Sequence, residues 1–166
     1  MDMERITRRA LLTSCFAAGT LLPLLRAEDT KGDPWSKDEL MEPEALARAL
    51  AAPGHRSAPA IIIISVVFPV LYRERHIPNA RFAGPASKPE GIAALKAAVS
   101  QLPKDTPIVI YCGCCPMVRC PNIRPAYRTL KDLGYRDVRV LDLPTNFHTD
   151  WTVKGYPVEP PVSHAL

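Results

Sequence analysis

Apolar residues along this chain fall into two patterns. Ile61-Ile62-Ile63-Ile64-Ser65-Val66-Val67, within Ala58 to Phe68, is nearly unbroken and lacks the polar alternation of a half-exposed strand. Pro107-Ile108-Val109-Ile110-Tyr111 and Val138 to Leu143 share that character. Short β-branched runs of this kind predict strands covered on both faces, as in a parallel sheet. Between them the spacing becomes helical. Pro43 to Ala51 sets Leu46 and Leu50 on one face, with Pro43 suited to the first helical position. Ser87-Lys88-Pro89-Glu90 has capping-box spacing and opens a helix to about Ser100. Ala126 to Leu133 is a further helix, closed by Gly134 as a left-handed cap. Ala80-Arg81-Phe82 is a short strand, and a helical turn around Trp151 ends at Gly155. Strands alternating with helices predict an α/β domain on a parallel sheet.

The two ends differ from this middle. Thr7-Arg8-Arg9-Ala10-Leu11-Leu12 resembles the twin-arginine pattern of bacterial export leaders, and a broken apolar run to Leu25 follows. That run is too short and interrupted for a membrane span. Residues 1–27 therefore read as an export signal, 28–38 as a polar linker, 39–160 as the domain and 161–166 as a tail. The expected location is the periplasm or outside the cell. Leu12-Thr13-Ser14-Cys15 also looks like a lipobox, but too few apolar residues separate Arg9 from Cys15, so soluble export is favoured.

Composition adds two constraints. Of the formal net charge of +4, the leader supplies +2 through four arginines and two acids, and the weak remainder gives no case for nucleic acid. Proline is frequent, at 18, and flanks many predicted elements, which implies stiff connections rather than disorder.

The chemistry concentrates in Tyr111-Cys112-Gly113-Cys114-Cys115-Pro116-Met117-Val118-Arg119-Cys120-Pro121-Asn122, which holds four of the five cysteines. A strand ending in a thiol, then a loop, then a helix, offers sulfur the unpaired N–H groups and positive dipole of a helix N-terminus. Such a thiolate has a lowered pKa. Cys112, at the strand end, is the expected nucleophile, with Arg119 and Arg124 as nearby charges that favour its anion. Cys114, Cys115 and Cys120 are expected resolving or relay thiols, with Cys115 and Cys120 better placed than Cys114, which only one glycine separates from Cys112. Three other uses stay open. The thiols could form structural disulfides, although these would close only short loops. Cys112 and Cys115 have the C-x-x-C spacing of redox motifs. Four thiolates could also hold copper or zinc, copper(I) being easier to fit than a tetrahedral zinc.

A family resemblance joins these pieces. His76-Ile77-Pro78-Asn79-Ala80 with Tyr72 before it, Ile108-Val109-Ile110-Tyr111-Cys112, Leu130 to Tyr135, Val138 to Leu141, and Trp151 to Val158 together resemble rhodanese-like domains over roughly residues 43–160. The resemblance implies a five-stranded parallel sheet with helices on both faces. It also implies a loop whose backbone N–H groups cradle a cysteine that accepts sulfane sulfur. Three departures stand out. Ser65 and Val67 replace the usual aspartate and arginine, so a buried ion pair is lost. The stretch from Cys112 to Gly134 is longer than in a usual single-domain member. Leu143 to Asp150 stands where a glycine pair is customary.

The expected function is then an exported sulfurtransferase working through a cysteine persulfide, with or without a thiol relay. It would need no cofactor, and would use a small sulfur donor such as thiosulfate or a persulfide, a thiol or cyanide acceptor, and a redox protein if the relay forms disulfides. The alternatives are a thiol-disulfide oxidoreductase, or a copper- or zinc-binding domain in which catalysis has lapsed. His76 is expected to bond backbone, His148 to approach the cysteine loop, Trp151 to anchor packing, and His55 and His164 to lie in loop and tail.

Overall fold

The computed structural model describes residues 32–52 and 61–159. The leader with Cys15, together with His55 and His164, lies outside the described residues. The strands are β1 (Leu40–Met41), β2 (Ile62–Ser65), β3 (Arg81–Phe82), β4 (Ile108–Tyr111) and β5 (Val138–Leu141). The helices are α1 (Pro43–Ala51), α2 (Pro69–Glu74), α3 (Pro89–Val99) and α4 (Ile123–Asp132). All pairings are parallel, in the order β1-β5-β4-β2-β3. β4 is therefore central, with Ile64 opposite Ile110 and Ile110 opposite Val140.

The absence of polar alternation in β4 has a direct cause. Ile108 and Ile110 pack with Leu95, Val99 and Leu130 from α3 and α4. Val109 and Tyr111 pack on the other face with Leu46 of α1 and Trp151. Both pleat faces are thus interior. Ile108, Ile110 and Val140 are fully buried, each contributing about 1.5–3 kcal/mol of hydrophobic stabilisation. α4 sets Ile123, Ala126, Tyr127 and Leu130 on its buried stripe, the i, i+3, i+4, i+7 pattern of an amphipathic helix. Gly134 closes it at φ 85°.

Several expected boundaries shift. α1 spans the expected residues. β2 is shorter than the Ile61–Val67 run, because the chain turns at Phe68 into α2, an unexpected helix with Pro69 at its start. The two-residue β1 is also unexpected. No side chain caps α3, whose N-cap position is Lys88. The capping box lies elsewhere, between Ser36 and Glu39. Residues 32–38, read as linker, pack against the domain: Trp35 is buried and meets the Tyr127 ring edge-on at 5.6 Å.

Candidate active site

Because the sheet is parallel, the loops after β2, β4 and β5 leave at one edge. The central strand delivers Cys112 there, on the same face as Ile108 and Ile110. Gly113 follows at φ 69°, a backbone state that favours glycine. Its carbonyl accepts the N–H of Phe147 at 3.0 Å, which ties the cysteine loop to the loop after β5.

The cysteine loop brings its thiols together. Cys112 and Cys120 are buried, Cys114 and Cys115 are half-buried, and all four are free. The Sγ atoms of Cys112 and Cys114 are 3.2 Å apart, and those of Cys114 and Cys115 are 3.4 Å apart. Cys112, Cys114 and Cys120 form a group whose sulfurs all lie within 4.8 Å of one another. Cys114 is therefore a direct neighbour of Cys112, although the expectation ranked it behind Cys115 and Cys120; of those two, only Cys120 joins the mutually close group. With Gly113 in the left-handed region, the chain turns back on itself and Cys114 returns to Cys112.

Asn122, absent from the expected site, is the main polar support. It is fully buried. Its Nδ2 donates to Cys112 Sγ at 3.4 Å and reaches Cys114 Sγ at 3.9 Å, while its Oδ1 accepts the N–H of Ser87 at 3.0 Å. In sequence Asn122 has the look of a helix N-cap, but its side chain caps nothing in α4. The amide serves sulfur instead.

The charge is distributed differently from expectation. The α4 N-terminus serves Cys120, not Cys112. Hydrogen bonds from the Cys112 and Cys114 thiols, aided by the Asn122 and Ile123 N–H groups, outweigh burial and hold Cys120 well below the ordinary thiol range. For Cys112, the neighbouring Cys114 thiol favours the anion, but the hydrogen bond to Cys120 and burial prevail, and its pKa is pushed up to about 12. Cys114 is held protonated by its hydrogen bonds to Cys112 and Cys120. These contacts favour the anion on Cys120 over Cys112 and Cys114.

Neither arginine points at sulfur. Arg124 donates to the carbonyls of Met117 and Cys120 at 3.2 and 3.3 Å and pairs with Asp33. It fixes the loop backbone. Arg119 is exposed on the short helical turn Met117–Arg119. His76 is buried, with Nδ1 2.9 Å from the Tyr72 carbonyl and Nε2 3.0 Å from Glu159. Trp151 is fully buried and donates to the Pro157 carbonyl at 2.8 Å. Both are structural, as expected.

A cavity of about 350 Å³ opens onto the cluster. Cys112, Gly113 and Cys114 line one side, and Val67, Leu71 and Phe147 supply apolar wall. Glu74, Arg75, Asn146 and His148 supply the polar groups. His148 thus shares the cavity lining with Cys112 and Cys114, on the turn His148–Thr152 that follows β5.

Fold and site together define a parallel α/β domain of the cysteine-centred kind, with its thiols at the carboxyl edge of the central strand. The chain belongs to the rhodanese-like domain family, whose family model matches residues 42–143. It is similar in structure to the rhodanese-like domain of an Anabaena sp. protein, with 20% identity and a TM-score of 0.53 over 77% of this chain and 83% of that one. It is also similar to thiosulfate sulfurtransferase from Pseudomonas aeruginosa, at 24% identity and TM-score 0.52, over 75% of this chain and 20% of that one. A third similar structure is EanB with a cysteine persulfide, in a tetrahedral intermediate state with ergothioneine (24% identity, TM-score 0.51, covering 72% of this chain and 27% of that one). Among curated proteins, none matches the sequence.

Proposed function

We propose that this chain is a sulfurtransferase that carries sulfane sulfur on Cys112. The observation that carries the reading is the position of Cys112, at the carboxyl end of the central strand and in the wall of the 350 Å³ cavity. Family membership and the likeness to a thiosulfate sulfurtransferase and to a persulfide-bearing protein support it.

In the proposed cycle Cys112 releases its proton to solvent through the cavity and, as the thiolate, attacks the outer sulfur of thiosulfate. The donor's S–S bond breaks, sulfite leaves with the electron pair, and Cys112 becomes a persulfide. An acceptor thiolate or cyanide then attacks the outer sulfur, and Cys112 leaves as thiolate. In the relay branch, Cys114 attacks the inner sulfur of the persulfide, a Cys112–Cys114 disulfide forms, and hydrosulfide is expelled. A dithiol redox protein would then reduce that disulfide. The 3.2 Å sulfur–sulfur contact favours this branch, because a thiol already in place has a high effective concentration. We place the protein outside the cytoplasm on the strength of Arg8-Arg9 and the apolar run to Leu25, a reading that N-terminal sequencing of the periplasmic fraction tests.

Intact mass spectrometry of the reduced chain after thiosulfate treatment tests the transfer reading. Addition of one sulfur, removed by cyanide with thiocyanate formation, is expected. A chain that takes up no sulfur from thiosulfate or from a persulfide donor overturns it.

A further inference from the structure

We infer that the cysteine cluster is also a binding site for one copper(I) ion, held by Cys112, Cys114 and Cys120. The three sulfurs already form a closed triangle, all within 4.8 Å of one another. A soft ion at ~2.3 Å from each of three thiolates sits at the centre of a triangle with edges of ~4.0 Å. The site therefore needs side-chain adjustments of a fraction of an ångström rather than a rearranged loop.

The surroundings select the ion. Beside the cluster lies a void of about 10 Å³ whose walls include Cys112, Cys115, Met117 and Cys120, with the rest glycine and aliphatic carbon. That is about one water's space, yet sulfur and aliphatic groups give a water few hydrogen-bond partners. Thiolate donors favour soft ions such as copper(I) over hard ones. Zinc is disfavoured by ligand number. Structural zinc sites are almost always four-coordinate, and Cys115, although close to Cys114, falls outside the mutually close group, which among the described residues includes no histidine or carboxylate. Copper(I) accepts three sulfurs.

A second observation points the same way. The buried Asn122 amide is directed at Cys112 and Cys114, two of the three ligands, and is locked by Ser87 from behind. An N–H donor aimed at ligand sulfur is the supporting arrangement that metal-thiolate sites use to spread ligand charge. Copper on Cys112 excludes a persulfide there, so metal loading and sulfur loading compete for one atom.

The test is anaerobic titration of the reduced full chain with copper(I) against a chromophoric copper(I) chelator, followed by X-ray absorption. One ion per chain is expected, with three sulfur scatterers. Cys114→Ser and Cys120→Ser should each lower affinity by ~100-fold, and Asn122→Leu by ~10-fold, while Cys115→Ser should change it less than ~3-fold. Circular dichroism of each variant separates ligand loss from unfolding, and the half-buried Cys114 position remains informative if Cys120→Ser does not fold. Failure of the reduced chain to compete for copper(I) overturns the inference. So does tighter zinc binding that depends on Cys115, or nitrogen and oxygen scatterers around copper. Affinity is measured without turnover, so a chain that transfers sulfur but binds no copper refutes this inference alone.

Discussion

Gly113 and Phe147 lock two loops together. A β-carbon at Gly113 would lie 2.7 Å from Phe147 Cβ and 2.8 Å from its amide nitrogen, the same amide that donates to the Gly113 carbonyl. Gly113→Ala therefore meets a backbone state hostile to β-carbons as well as a collision with backbone. A loss of about 2–4 kcal/mol in urea unfolding is expected, with loss of sulfur loading by mass spectrometry. A variant of parental stability and loading would show that the two loops are not coupled.

Cys112→Ser should abolish sulfur loading. Cys112 is buried at 4% exposure and packs in the core cluster beside Ile123, so the substitution hides a hydroxyl in place of a thiol. The expected cost is about 1–2 kcal/mol, more than a strand-end position by itself suggests. Sulfur uptake within twofold of the parent would mean that another cysteine is the carrier.

Asn122→Asp separates support from chemistry. The carboxylate can still accept the Ser87 N–H, but it replaces the donor to Cys112 with a negative charge. Sulfur loading should slow by about tenfold or more, while Asn122→Leu, which orphans the Ser87 amide, should also cost about 1–3 kcal/mol of stability. Equal loading rates in parent and Asn122→Asp would remove Asn122 from the site.

Glu39 makes the fold acid-sensitive. Burial opposes its charge, but hydrogen bonds from Tyr127, Ser36 and Lys131 prevail and lower its pKa from 4.5 to about 2. The folded chain thus binds this proton less readily than the unfolded one. The stability involved is present above about pH 4.5 and is lost as pH falls toward about 2. Glu39→Gln should cost about 1–3 kcal/mol at pH 7, and the difference from the parent should shrink across that window in urea unfolding at stepped pH. A constant difference from pH 7 to below pH 3 would assign the effect to packing.

The parallel sheet was legible because burial of both faces leaves a plain mark in sequence: Ile61 to Val67 and Ile108 to Ile110 carry no polar alternation. α1 was legible through Pro43 and the Leu46–Leu50 spacing. β1 was not, since two residues carry no period, and α2 was hidden by its exposed apolar Val70 and Leu71. The Ser87–Glu90 capping box failed because spacing states an opportunity rather than an outcome. The Ser87 amide is taken by Asn122, 35 residues away. The site was half visible. Clustering of the cysteines lay in the sequence, but which thiol faces the α4 amides depends on how the loop folds back at Gly113. Arg124 was marked by charge alone, whereas its geometry turns it toward carbonyls.

The Arg124 contacts bear on where the working unit begins. The family match starts at residue 42, and the sheet starts at Leu40, yet Asp33 and Trp35 upstream of both hold the guanidinium that clamps the Met117 and Cys120 carbonyls. A truncated version trimmed to the sheet would keep every strand and all four loop cysteines, but lose this brace. Such a fragment should fold with a slack cysteine loop, seen as faster alkylation of Cys120 than in a version that begins at Glu28. The chemical unit is longer at its front than the architectural one.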